Sequence, residues 1–248
     1  MTQVQPFFFS QKLSIERGIT VTEMETSRNP VVKRPTRSKL PNKVTEENRN
    51  RPNHFIALPV SAKPVVDVLR GIQDEYLTLS ESDGEEFKKE WYNLHITLCA
   101  VRVDNPDQLD TVTQTLYDLI VDRQFEHHFT LSKLGSFWNR VLYAGATVSE
   151  SFIEFVLQLR EALAQKGIKI FDETNEFTPH VTLFNFPRSK TEIYFPIDDF
   201  IAIKSDDGND NALHNVEVPL DEVVIYSMER DDSNRYISKM SLDLQASN

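Results

Sequence analysis

The sequence predicts a mixed body of strands and helices, α/β or α+β, built as two lobes related by internal symmetry. Two observations carry this. Short apolar runs bounded by turn residues alternate with segments whose apolar residues recur every three or four positions. A strand–helix–strand unit also occurs twice, ending in Leu94-His95-Ile96-Thr97-Leu98 and in Pro179-His180-Val181-Thr182-Leu183. Leu58 precedes His95 by 37 positions, and Tyr143 precedes His180 by the same 37, as a duplicated supersecondary unit requires.

In chain order, His54 to Val60 reads as a strand ended by proline. Pro64 opens a helix with Val65, Val68, Leu69, Ile72 and Tyr76 on one face. The acidic stretch Glu81 to Glu86 reads as a loop, and Leu94 to Val103 as a strand. Asn105-Pro106 starts a helix buried through Leu109, Val112, Leu116, Leu119 and Ile120. Phe125–Phe137 and Arg140–Val148 read as strands of a hairpin turning at Trp138-Asn139. Ser149 caps a helix with apolar positions Phe152, Ile153, Val156, Leu157, Leu159 and Leu163, ending at Gly167. Ile168–Phe171 and Thr178–Phe186 follow as strands. Leu220–Met228 and Tyr236–Leu244 close the body around a polar turn at Asp231 to Asn234.

Composition bounds the function. A chain of 248 residues can bury a substantial core. Its single cysteine, Cys99, excludes a disulfide framework and a cysteine-based zinc site, and fits a reducing compartment. No apolar run approaches the roughly 18 residues of a membrane span, and Phe7-Phe8-Phe9 is too short for a signal-peptide core. Residues 1–50 lack periodicity and read as a disordered basic arm, with the domain expected over 51–245. The net charge of −11 divides into +4 for the arm and −15 for the rest. An acidic body argues against wrapping a long duplex, though not against a short nucleotide in a polar cleft. In the arm, the cluster from Lys33 to Lys39 reads equally as a nuclear-localisation or nucleic-acid patch or as a solvated linker. Nuclear and cytoplasmic locations both follow.

The repeated element carries the chemistry. Side chains alternate along a strand, so His95 and Thr97 share one face while Leu94, Ile96 and Leu98 occupy the other. His180 and Thr182 are related in the same way. Two imidazoles and two hydroxyls suit a phosphate: the threonines donate to non-bridging oxygens. One neutral histidine takes a proton from an attacking hydroxyl, and a protonated one gives a proton to the leaving oxygen. That scheme requires no metal or other cofactor. A lone His-x-Thr is more often a partly buried polar pair satisfied by its neighbours; two copies at matching places reverse that reading.

With these motifs the sequence resembles the two-histidine (2H) phosphoesterases. Within them it is similar to the central domain of A-kinase anchoring protein 7 and to coronavirus accessory phosphodiesterases, through Arg51 to Ile56, Phe177 to His180 and Ile225 to Met228. The resemblance spans about residues 52–244. It implies an α+β fold of two pseudo-symmetric lobes, with antiparallel sheets lining a central cleft and helices outside. It also implies metal-independent cleavage of 2′-linked or 2′,3′-cyclic phosphates, including 2′-5′-linked oligoadenylate. His95 and His180 are then catalytic, with His180 taken as base and His95 as acid, and Thr97 and Thr182 bind phosphate. The expected partner is a short oligoribonucleotide or AMP-like nucleotide, bound by a monomer. The eight residues after Met240 are too few for a kinase-anchoring helix, so no kinase regulatory subunit is expected.

Other residues weigh less. Cys99 follows Thr97 on the same nominal face but reads as a small buried residue. His54 reads as structural support near the site. His127 and His128, being adjacent, point apart and form no metal pair; His214 and the Asp206 to Asp210 loop read as solvated. Among many aromatics, Phe177, three residues before His180, is the expected substrate contact by base stacking. Other readings stay open: a 2′,3′-cyclic phosphodiesterase, a non-catalytic AMP-binding module, or a scaffold whose arm carries the role.

Overall fold

A computed structural model describes residues 50–80, 84–121, 123–171, 176–188, 196–206, 213 and 215–244. The basic arm up to residue 49 with its Lys33–Lys39 cluster, His214 and residues 207–212 lie outside the described residues.

Local sequence accounts for most elements. Strand β1 (His54–Pro59) is flanked by strands on both sides, and Phe55 through Leu58 are all buried. Pro64 sits in the first turn of α1 (Lys63–Leu79), where its missing N–H costs nothing. Strand β2 (His95–Arg102) leads to α2 (Pro106–Ile120), capped by Asn105, whose side chain accepts from the Gln108 N–H at 2.9 Å. Strands β3 (His128–Phe137) and β4 (Val141–Thr147) form the expected hairpin. Trp138 and Asn139 have φ of 52° and 51°, the left-handed pair that matches a hairpin's twist. Helix α3 (Glu150–Gln165) is capped by Ser149 and terminated at Gly167, with φ of 78°. There the Ile168 N–H donates to the Leu163 carbonyl. The chain continues through β5 (Lys169–Ile170), β6 (His180–Asn185), α4 (Ile197–Asp206), β7 (Glu217–Pro219), β8 (Glu222–Arg230) and β9 (Tyr236–Asp243).

The nine strands form one antiparallel sheet in the order β7-β3-β4-β6-β2-β1-β8-β9, with β5 alongside β2. The fold is thus α+β. Its halves, β7-β3-β4-β6 and β2-β1-β8-β9, meet where β6 and β2 pair through a single residue couple, Ile96 and Val181. Pro59 lies opposite His95 and Gly145 opposite His180, so the duplicated units match in register, with the first connection one residue longer. Helix α1 packs against β6 and α3 against β2, and α2 packs on α3. Helix α4 and β7 were not expected. Residues 187–219 offer only scattered apolar positions, of which Ile197, Phe200, Leu213 and Val218 are buried among the described residues, too sparse to show a period. Among the described residues, no helix is long and apolar enough to cross a membrane.

Candidate active site

The one pair joining the halves places the site. Ile96 and Val181 are the middle residues of the two His-x-Thr motifs, and they are paired antiparallel. That register sets His95 across from Thr182 and Thr97 across from His180. Ile96 and Val181 are 0 % exposed on the core face, while the two histidines and two threonines are half-buried. Among the described residues, neither threonine hydroxyl is engaged by another group.

A bulge follows each motif at the same place. Ala57 faces Thr97 but Ile56 faces Cys99, leaving Leu98 as the extra residue; Tyr143 faces Thr182 but Leu142 faces Phe184, leaving Leu183 extra. A bulged residue's carbonyl needs a partner outside the ladder. The Leu98 carbonyl accepts from Arg160 of α3, through Nε at 3.0 Å and an Nη at 2.9 Å. The Leu183 carbonyl accepts from Gln73 of α1 at 3.0 Å and from the Lys89 N–H at 2.8 Å. Each lobe's helix therefore pins the motif strand of the other lobe. Gln73 is 1 % exposed, and its buried amide nitrogen donates both to the Leu183 carbonyl and to the Lys89 carbonyl at 2.8 Å.

The two histidines are held alike. His95 Nδ1 lies 2.7 Å from the Asn93 carbonyl and His180 Nδ1 lies 2.8 Å from the Thr178 carbonyl. A carbonyl only accepts, so Nδ1 carries the proton and Nε2 is the atom free to take or give one. Burial pushes the His95 pKa down to about 4; the Asn93 carbonyl opposes this, while Lys89, His180 and Arg230 add to it. Burial also lowers His180, again against its carbonyl bond. Both rings are walled by aromatics. Phe55 stacks on His95 with centroids 4.8 Å apart and Tyr236 meets it edge-on at 5.7 Å. Phe137 and Tyr143 lie 5.0 and 5.2 Å from His180. Tyr143 reaches there by lying across Gly135, where a β-carbon would sit 2.4 Å from its ring.

A family model described as the AKAP7 2′5′ RNA ligase-like domain matches residues 52–242. The chain belongs to this family, within the 2H phosphoesterases. No curated protein matches its sequence. Solved structures similar in fold include TT0787 of Thermus thermophilus, with TM-score 0.55, 19 % identity and coverage of 78 % of this chain and 98 % of that one. LigT of Escherichia coli in apo form has TM-score 0.52 and 18 % identity, covering 78 % and 98 %. LigT complexed with 3′-AMP has TM-score 0.50 and 17 % identity, covering 79 % and 98 %.

Membership of the 2H phosphoesterases supports a phosphodiesterase. Of the residues expected from sequence, the fold brings His95, Thr97, His180 and Thr182 to one face. Phe177 it places elsewhere: the ring is 9 % exposed within the core, with the Arg160 guanidinium 5.5 Å over it. One face is thus covered by a cation that is itself pinned to Leu98, which leaves Phe177 as packing rather than a base platform. Cys99 is fully buried because the bulge at Leu98 flips the alternation after Thr97. His54 is not near the site; it pairs opposite Val101, at the far end of β2 from His95. His128 Nε2 lies 3.6 Å from Glu217 on the outer strand pair. Sequence reading missed Gln73, Arg160, Tyr236 and Lys89. The first two carried a signal: Gln73 interrupts the stripe Leu69, Ile72, Tyr76, and Arg160 the stripe Val156, Leu159, Leu163, each a polar residue on a buried helix face.

Proposed function

We propose that the protein is a metal-independent phosphodiesterase that cleaves 2′-5′-linked oligoadenylate or related short RNA-type substrates. The observation that carries this is the four-residue face around Ile96 and Val181. There two imidazoles, each with Nδ1 tied to a carbonyl and Nε2 free, flank two uncommitted hydroxyls. In a 2′-5′ linkage the free 3′-hydroxyl lies beside phosphorus, so the nucleophile is already positioned. The base takes the 3′-hydroxyl proton as O3′ bonds to phosphorus; the bond from phosphorus to O5′ breaks, and the acid protonates O5′. The products are a 2′,3′-cyclic phosphate and a 5′-hydroxyl. Thr97 and Thr182 donate to the non-bridging oxygens as charge builds on them.

The roles follow from burial. Burial lowers both, and His95 furthest, to about 4, so His95 is assigned as the neutral base and His180, the one that holds its proton to higher pH, as the acid. This reverses the allocation taken from sequence, where symmetry offered no basis to choose. Both histidines come from one chain, so a monomer suffices. LigT, similar in fold, has been crystallised with 3′-AMP, which supports a nucleotide-sized occupant here.

The test is turnover of 2′-5′ triadenylate and of its 3′-5′ isomer in EDTA, with His95→Ala and His180→Ala as controls. Cleavage of the 2′-5′ isomer alone, abolished by either substitution, is expected. If neither isomer is cut while AMP binds tightly, the protein is a nucleotide sensor; cleavage of 2′,3′-cyclic AMP alone would move the activity to RNA-end processing.

A further inference from the structure

We propose that Lys89 and Arg230 form a second anion subsite beside the paired histidines, holding a phosphate that neighbours the scissile one in the substrate. The inference deepens the proposed function and rests on its placement of the scissile phosphate over His95, Thr97, His180 and Thr182.

A cleft of about 260 Å³ lies next to that face, with Lys89, Arg230, Asn93, Asn185, Glu86 and Glu90 in its walls. None of the four motif residues lines it, so it is a separate compartment. It nevertheless touches both motif strands. Asn93 supplies the carbonyl that orients His95, and Asn185 ends β6 three residues beyond Thr182. A phosphodiester chain leaving the histidines on this side enters it.

The cations are held in place. The Lys89 backbone is fixed at both polar groups, its N–H donating to the Leu183 carbonyl at 2.8 Å and its carbonyl accepting from Gln73 at 2.8 Å. Arg230 lies 4.0 Å over the Tyr236 ring and donates to the Asn234 carbonyl at 2.7 Å, which sets its guanidinium plane. Tyr236 is the ring that meets His95 edge-on, so this cation and the catalytic imidazole share one wall. Both Lys89 and Arg230 are near enough to disfavour a proton on His95. Lys88, also in the cleft, is paired with Glu85.

Charge argues for an anion of a particular kind. The chain outside its arm carries −15, which repels polyanions, so a phosphate-bearing ligand needs local cations to enter. Lys89 and Arg230 meet that need, and a guanidinium favours phosphate geometry. The Glu90 carboxylate in the same wall offers an acceptor to a ribose hydroxyl, which inorganic phosphate lacks. The fitting occupant is therefore a sugar phosphate within a chain.

Adenosine 2′,5′-bisphosphate, one unit of a 2′-5′ chain with both flanking phosphates, is the probe. Its affinity for the full-length protein is compared by calorimetry with those of adenosine 2′-monophosphate and 5′-monophosphate. The bisphosphate is expected to bind on the order of tenfold more tightly, the value of one added charge-assisted contact. In Lys89→Gln/Arg230→Gln the ratio should fall to within about twofold, and Lys89→Arg should keep it. Because the readout is a ratio, a general loss of affinity or folding cancels. A wild-type ratio near one, or a ratio unchanged in the double variant, overturns the subsite. The measurement needs no turnover: a normal ratio without cleavage of 2′-5′ triadenylate supports the subsite and sinks only the catalytic reading. Cleavage with a ratio of one does the opposite.

Discussion

Replacing Arg160 with methionine tests whether the crossed helix contacts set the site. The change keeps an unbranched stem but removes two hydrogen bonds to the Leu98 carbonyl, at 3.0 and 2.9 Å, and the cation over Phe177 at 5.5 Å. Bonds to a charged donor contribute about 1.5–3 kcal/mol, and a carbonyl left without a partner costs about 1–3 kcal/mol. The ring contact adds about 1 kcal/mol. Against these, the guanidinium need no longer be desolvated, which offsets part of the loss. The net is about 3 kcal/mol, and for a body of this size each kcal/mol lowers Tm by roughly 2–4 °C. A fall of about 6–12 °C by calorimetry is therefore expected. Thr97 directly precedes the bulge that Arg160 holds, so kcat should fall about 100-fold, as displacement by an ångström can cause, with KM changing less. Arg160→Lys, which keeps a charge but not the planar fork that donates twice to one carbonyl, should recover part of both. A Tm within about 2 °C of wild type together with an unchanged kcat would refute the reasoning, because the bulge would then stand without its partner.

Further expectations follow from the same geometry. Since His95 must be neutral and His180 protonated, kcat/KM should rise through pH about 4 and, because burial lowers His180, begin to decline below the ordinary histidine value; a profile that instead rises through pH 8 would rule out this allocation. Stability should also be lost as pH falls from 6.5 toward 4. The unfolded chain takes up the His95 proton first in that window, at a cost of roughly 3 kcal/mol by pH 4, and urea midpoints for His95→Gln should show a shallower slope. Thr97→Val and Thr182→Val should each lower kcat by about 100-fold with little change in Tm, as loss of one oxyanion donor does; an effect on KM alone would make them ground-state contacts. Gly135→Val should push Tyr143 off its place beside His180, seen as a changed His180 imidazole NMR shift; an unmoved resonance would show the wall to be dispensable.

Local chemistry made much of this protein legible. The Asn105 and Ser149 caps, the proline at the start of α1, the glycine after α3 and the Trp138-Asn139 turn each act within a few residues, and each element forms where they place it. The repeated His-x-Thr was legible for the same reason: alternation along a strand is a local property, and it puts histidine and threonine on one face without reference to the rest of the fold. Alternation also misled. It puts Cys99 on the nominal face of Thr97, where only its residue type marks it as buried, because the bulge that flips the faces leaves no mark in the neighbouring sequence; nearness to His180 likewise pointed Phe177 at the cleft, where a guanidinium from a distant helix covers its ring instead.

By itself, then, the sequence determined most of the elements, though not α4 or β7, together with the duplication and the four residues able to handle a phosphate. Tertiary structure decided that Ile96 meets Val181, that Gln73 and Arg160 cross between lobes to hold the two bulges, and that His95 is desolvated enough to stay neutral down to about pH 4. These depend on contacts between residues 60 to 110 positions apart, such as Arg160 with Leu98 and Gln73 with Leu183. Periodicity and capping encode only neighbours. Desolvation and cross-strand register exist only once distant segments have excluded water from between them.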